Sequence, residues 1–210
     1  MIFRNLSIRT KLILGFALVS IIPLLIAIGA SIKISEDALK EEVNAKNMTV
    51  AADMAKEINT LVQERLHLIL SLSNMADIRS MDTARQLAAM KAIDDQFEDI
   101  TSIIVAKMDG KQTVRTTGQL ADISDRQYFQ DIKNGAPYSI SDVVISKGTG
   151  KSSIIFAAPI KNGNTTNGVL IAVMDLESVS KSVASYKLGN TGFVFVTDKN
   201  GKILTHPDNE

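Results

Sequence analysis

The sequence predicts an α+β fold, a long N-terminal helical region followed by an antiparallel sheet, and three observations predict it. Residues 12–32 form a run of 21 without a charge. Residues 31–109 contain neither Gly nor Pro, and apolar positions there recur at helical spacing. Beyond residue 100 the pattern changes to short apolar runs separated by Asp-Gly, Gly-Thr-Gly and Asn-Gly, the punctuation of hairpins.

The first element is the uncharged run LILGFALVSIIPLLIAIGASI. As a helix it spans about 31 Å at 1.5 Å per residue, the thickness of a bilayer's hydrocarbon core. Pro23 is tolerated in such a span. A cleaved signal peptide would have a shorter apolar region and a better cleavage site than Ala27-Ile28-Gly29. Arg4, Arg9 and Lys11 precede the run, whereas Lys33 is mixed with Glu36, Asp37, Glu41 and Glu42 after it. The positive-inside bias then places residues 1–11 in the cytoplasm and everything after about residue 33 outside.

The second element is one long amphipathic helix over about 33–76, carried by Leu39, Val43, Val50, Met54, Ile58, Leu61, Val62, Ile69, Leu72 and Met75. Its apolar stripe is wide enough to serve one wall of a core and a second copy of the chain, so a homodimer is expected. A shorter helix follows over about 83–97. Next come a hairpin of 102–106 and 112–116 around Asp109-Gly110, a second of 138–146 and 151–160 around Gly148-Thr149-Gly150, and a loop 162–168 returning into a strand 169–174. That makes five strands, with the helices set to one side of the sheet. KGTGK at 147–151 lacks the spacing of a phosphate loop and reads as a turn. Between the hairpins, Ser124 with Gln127 three residues later reads as a capping box opening a helix over 125–133. A further helix is expected over about 176–186.

An internal echo appears at an offset of 91: Gly110 falls on Gly201, Asp109 on Asn200, and Ile103-Ile104-Val105 on Val194-Phe195-Val196. A second module therefore begins near Gly189, and after one hairpin the sequence stops. A lone hairpin is not independently stable, so a longer protein is expected. The expected organisation is 1–11 cytoplasmic, 12–32 membrane span, 33–188 long helix plus first module, and 189–210 the start of the second.

Composition excludes several classes. Twenty-three Lys plus Arg balance 23 Asp plus Glu, which leaves no basic face for nucleic acid. The absence of Cys removes disulfides, thiolate metal sites and a cysteine nucleophile, and two His leave little for a triad or metal centre. No enzymatic activity, cofactor or metal is assigned.

In that order of elements, DRQYF, YSISDVVIS, GKSSIIFAAPI, GVLIAVMDLESVS and GNTGFVFVTDKNGKILTHP resemble the double Cache extracellular sensor domain of bacterial methyl-accepting chemotaxis proteins. The resemblance implies two PAS-like modules stacked on the long helix, the distal one binding a small molecule, and a second span leading to cytoplasmic signalling partners through parts absent from these 210 residues. It also implies a plasma-membrane location. Arg126 stands where the family's R-x-W-Y motif binds a ligand carboxylate, and Asp175 stands where the family places an ammonium acceptor. Tyr128 occupies the Trp position of the motif, Phe129 its Tyr position, and Val144 a strand position where many members have Tyr. Fewer phenol donors widen the implied ligand to an amino acid, an amine or a carboxylate.

Each of these residues also has a plainer reading. Arg126 can pair with Asp122 on a surface helix. Asp175 can cap the helix that follows it. Asp142 is either solvent-facing or a pocket acceptor. Tyr128 and Phe129 are either core or ligand platform, and being adjacent on a helix they cannot both point fully into a pocket. The function implied is a chemoreceptor's sensing portion; the alternatives are the ectodomain of a sensor histidine kinase or nucleotide cyclase, or a membrane-anchored scaffold without ligand.

Overall fold

The structure is a computed structural model that describes residues 7–184, 186, 192–198, 200–201 and 203–205. It divides into two units, 1–52 and 53–210. One helix, α1 (Ile8–Ser73), carries residues of both. Within the first unit its large apolar side chains, Phe16, Val19, Leu24 and Ile26 among them, are exposed. Among the described residues this is the one helix long and apolar enough to cross a membrane.

The second unit is an antiparallel sheet with helices. After α1 come α2 (Ala76–Arg79) and α3 (Thr83–Asp94), then β1 (Ile100–Lys107), β2 (Gln112–Arg115) and α4 (Gln127–Lys133). They are followed by β3 (Ser139–Ile140), β4 (Val144–Ile145), β5 (Ser152–Asn162), β6 (Thr165–Asp175) and α5 (Leu176–Ala184). The sheet order is β2-β1-β6-β5-β3, with β4 also on β5. Asp82 opens α3 by accepting hydrogen bonds from the backbone N–H of Ala84 and Arg85 at 3.0 and 2.9 Å.

Three expectations change. The strand expected over 138–146 is two short strands, because the chain leaves the ladder at Ser141–Val143. There the Ser141 hydroxyl, instead of a main-chain carbonyl, accepts from Ile155 N–H at 3.0 Å. The sheet thus has six strands rather than five. Residues 165–168 belong to β6 and not to a loop, since Gly163, at φ 59°, turns the chain in two residues and Asn162 pairs with Thr165.

Nor do the helices lie on one side of the sheet. Ile104, Ala157, Ile171 and Val173 face α4 and pack with Phe129 and Ile132. The alternate residues Val105, Phe156, Ala158, Leu170 and Ala172 are equally buried. On that other face α2 meets β5 and α3 meets β1 and β2. Strands covered on both faces read as continuous apolar runs, which is what SIIVA and GVLIAVM are.

A separate two-stranded sheet, β7 (Val196–Thr197) with β8 (Ile203–Thr205), stands at the sequence echo. Gly110 and Gly201 share a positive φ of 87° and 80°. Each N–H turns back to the carbonyl three residues earlier, Lys107 and Asp198, at 2.9 and 3.0 Å. The expected module start at Gly189 lies outside the described residues.

Asp94, at the end of α3, is held above the usual carboxylate range, chiefly by burial, with a hydrogen bond from Thr116 working the other way. Its Oδ1 is buried without a hydrogen-bond partner. A raised folded-state pKa means that the native state binds more protons, so this stabilising contribution is present at low pH and lost as pH rises through the shifted value. Asp94→Asn is therefore expected to raise the melting temperature at pH 7 and to leave it unchanged well below pH 3.8, the ordinary value for Asp. A lower melting temperature at pH 7 would show that the ionised carboxylate is satisfied after all.

Candidate functional site

The segment joining β2 to α4 is pinned to the first hairpin. Ile123 N–H donates to the Gly110 carbonyl at 2.9 Å, and Arg126 N–H to the Ile123 carbonyl at 2.9 Å. A Cβ on Gly110 would lie 2.6 Å from Ser124 Cα, so only Gly allows this approach. The expected capping box does not form. Helix α4 starts at Gln127, Arg126 is its N-cap, and no side chain caps it. Ser124 instead has its N–H bound by Asp122 Oδ1 at 2.8 Å, and its carbonyl accepts from Gln130. Arg126 does not pair with Asp122; its nearest carboxylate is Asp125, at 4.0 Å.

Beside α4 lies a cleft of about 430 Å³ lined by Asp125, Arg126, Tyr128, Asp131, Asp142 and Val144, among others. That volume is within the range of small-molecule sites. Arg126, Tyr128 and Val144 also wall an inner cavity of about 10 Å³ beneath β4, bounded by Arg115, Ile155, Ile171 and Val173. The Tyr128 side chain is largely buried, and desolvation pushes its pKa up to about 12, so at neutral pH its hydroxyl is a neutral donor. Burial likewise pushes the Arg115 guanidinium down from its ordinary value.

The structure brings Arg126, Tyr128 and Asp142 together at the cleft, with Asp142 exposed at its rim. It places the other two expected residues elsewhere. Phe129 is fully buried in the core against the sheet and lines neither space. Successive helical residues diverge by about 100°, and the core takes Phe129 because the sheet residues it packs with, Ile104, Ala157 and Ile171 among them, are apolar.

Asp175 Oδ1 accepts from Glu177 N–H at 3.1 Å, capping α5. Its Oδ2 lies 3.0 Å from Lys151 Nζ, and Asp175 lines neither space. Two carboxylates of the cleft wall, Asp125 and Asp131, are engaged as well. Lys147 Nζ donates to Asp125 at 2.6 Å, and Ser139 and Gln127 donate to Asp131 at 2.6 and 2.7 Å; these contacts hold both acids below the usual range.

Sequence reasoning missed Arg115. In QTVR it occupies the half-buried phase of the alternation, which reads as solvent-facing, but its pairing with Ile104 puts it on the α4 face. Lys151, the partner of Asp175, was also missed.

Residues 35–210 match the Cache domain family dCache_1, and the chain belongs to that family. Among curated relatives it is 24% identical over 211 residues to the methyl-accepting chemotaxis protein PscA of Pseudomonas syringae pv. tomato, covering 99% of this chain and 33% of that protein. The chain thus spans about one third of the length of the curated relatives it matches. Its fold resembles the ligand-binding domain of the Pseudomonas fluorescens chemoreceptor CtaA in complex with L-isoleucine. That likeness has a TM-score of 0.68 at 19% identity, over 83% of this chain and 73% of that one. It also resembles a domain of a sensory box/GGDEF family protein from Vibrio parahaemolyticus. There the TM-score is 0.69 at 16% identity, over 80% and 73% of the two chains.

Proposed function

We propose that the chain is the membrane anchor and ligand-sensing portion of a chemoreceptor, binding a small polar solute at the α4 cleft. The observation that carries the reading is the pair Arg126 and Tyr128 at the mouth of a 430 Å³ cleft on a Cache module. A guanidinium offers a carboxylate paired, charge-assisted hydrogen bonds, and a neutral phenol adds a donor. CtaA and PscA support the chemoreceptor class. Residues 12–32 span the plasma membrane with 1–11 in the cytoplasm, 33–188 form the external sensor, and 189–210 begin a second module.

A homodimer forms along the apolar stripe of α1, and signalling partners act on parts beyond these residues. The chain itself is not an enzyme. One helix runs from the apolar segment into the module, so a ligand that favours one of two states can bias the membrane end, with couplings of about 1–3 kcal/mol typical.

A thermal-shift screen against amino acids, amines and carboxylates tests this. Ligand at 100 times its Kd stabilises by about 2.7 kcal/mol, roughly 5–10 °C for a domain of this size. Arg126→Gln is expected to remove the shift while leaving the unliganded melting temperature within about 2 °C, since the side chain is part-exposed and forms no close ion pair. A folded chain that shifts with no compound, or shifts undiminished in the variant, would sink the assignment. The GGDEF relative favours a second reading, the same sensor driving an enzymatic output, and ligand-dependent cyclic dinucleotide synthesis in cells would select it.

A further inference from the structure

We propose that residues 142–150 form a lid beside the α4 cleft, latched shut by Lys147, and that lifting its tip opens the site. The inference rests on the sensing reading above and adds how that site is entered.

The lid exists because α4 is short. Seven residues of helix span about 10 Å, whereas β5 and β6, with 11 residues each, run about 35 Å. Part of the sheet face that meets α4 is therefore left for another element to cover. Val144, Ile145, Ser146 and Gly148 do so: they wall the inner space together with Ile155, Ile171 and Val173, none more than 2% exposed. Asp142 and Val144 line the outer cleft as well, so this segment borders both spaces.

Main-chain hold on the segment is slight. β4 has two residues, and it pairs with β5 alone. The chain is off the ladder at 141–143, which gives one hinge. Gly150, at φ 72° with open space around it, gives the other. Just beyond it Lys151 is anchored on Asp175 and Glu177, at 3.0 and 3.3 Å. Burial adds little at the tip, where Ile145 is 57% exposed.

The tip is fastened by polar contacts. Lys147 Nζ donates to the Asp122 carbonyl at 2.8 Å and to Asp125 at 2.6 Å. Those side chains are 33% and 64% exposed, so water competes for this latch. Arg126 Nη2 reaches the Ile145 carbonyl at 3.5 Å, and lifting the tip frees that guanidinium. A Cβ on Gly148 would lie 2.3 Å from Arg115 Cζ, so only Gly lets the tip close this far. Arg115 Nη2 and Arg126 Nε are buried without a hydrogen-bond partner. Opening exposes both to water, which lowers its cost.

The test reads opening with a thiol. The chain has no Cys, so one introduced Cys reports without background. Val173→Cys, in the whole chain in lipid nanodiscs, places it at the inner space; Ala172→Cys, fully buried on the other sheet face, is the control. The reagent is methyl methanethiosulfonate, which is neutral, and no solute is added. Lys147→Gln should speed labelling of Val173→Cys about threefold or more and leave Ala172→Cys unchanged. Lys147→Arg, which keeps the charge, should restore the slow rate. If Val173→Cys fails to fold, Ile155→Cys lines the same space and takes its place. Labelling indifferent to Lys147→Gln would overturn the lid. Equal acceleration at Ala172→Cys would do the same, because the whole sheet would then be opening. Neither result touches the sensing reading, which the thermal-shift screen decides.

Discussion

Truncating Phe129 to Ala is expected to cost about 3–5 kcal/mol of stability. The ring is fully buried and packs with Ile104, Ile132, Ala157 and Ile171. Seven residues are too few to form a helix alone, so α4 exists because Tyr128, Phe129 and Ile132 are buried. Removing the largest of these leaves a cavity as well as losing transfer energy.

Urea unfolding followed by circular dichroism should show a lower midpoint with an unchanged slope, and Phe129→Leu should cost clearly less. Arg126 and Tyr128 ride on the same helix, so ligand affinity should fall in the Ala variant and recover in the Leu variant. If the Ala variant were as stable as wild type yet lost ligand, Phe129 would be a ligand platform and the packing given for it would be wrong.

Breaking the Arg65–Asp99 pair is expected to cost about 3 kcal/mol. Arg65 Nε and Nη2 donate to the two oxygens of Asp99 at 2.6 and 3.0 Å. The two side chains are 13% and 14% exposed. The guanidinium also stacks 4.6 Å from the centre of the Phe97 ring, which adds a cation–π contribution.

Removing either partner strands a desolvated charge, so Arg65→Met and Asp99→Asn should each be severe, whereas the double substitution should cost less than their sum. The Arg85–Asp77 pair has comparable bond lengths but side chains 58% and 45% exposed, and solvent screening should hold its loss below about 1 kcal/mol. Equal effects for the two pairs would refute this ordering. Asp99 directly precedes β1, so the pair ties the sheet to α1. Its loss should also speed amide exchange in that part of α1, which is the route by which a ligand signal would leave the module.

Much of this protein was legible in the sequence, for a physical reason in each case. An uncharged run as long as a bilayer is thick can be counted. Apolar spacing at three, four and seven residues reports a helix face, and Asp109-Gly110 and Gly148-Thr149-Gly150 report turns because Gly takes a positive φ without steric cost. These are local properties. The order of the motifs carried the family, and Arg126 with Tyr128 could be carried over onto the cleft residue by residue.

What only the tertiary structure decided depended on what each side chain meets across space. Phe129 went to the core because α4 presents it to an apolar sheet face. Asp175 became an ion-pair partner as well as a cap because the pairing of Ser153 with Asp175 brings Lys151, just before β5, beside it. Ser124 lost its capping role when Gly110 drew the preceding loop against the hairpin. Helices cover both faces of the sheet because every second residue of β1, β5 and β6 is as apolar as its neighbour, a pattern visible in the sequence but ambiguous there between buried strand and buried helix. Arg115 alternates like a surface residue on β2, and only the pairing of β2 with β1 puts it on the α4 face. Register and long-range packing are set by the summed burial of the whole module, and no window of sequence contains that sum.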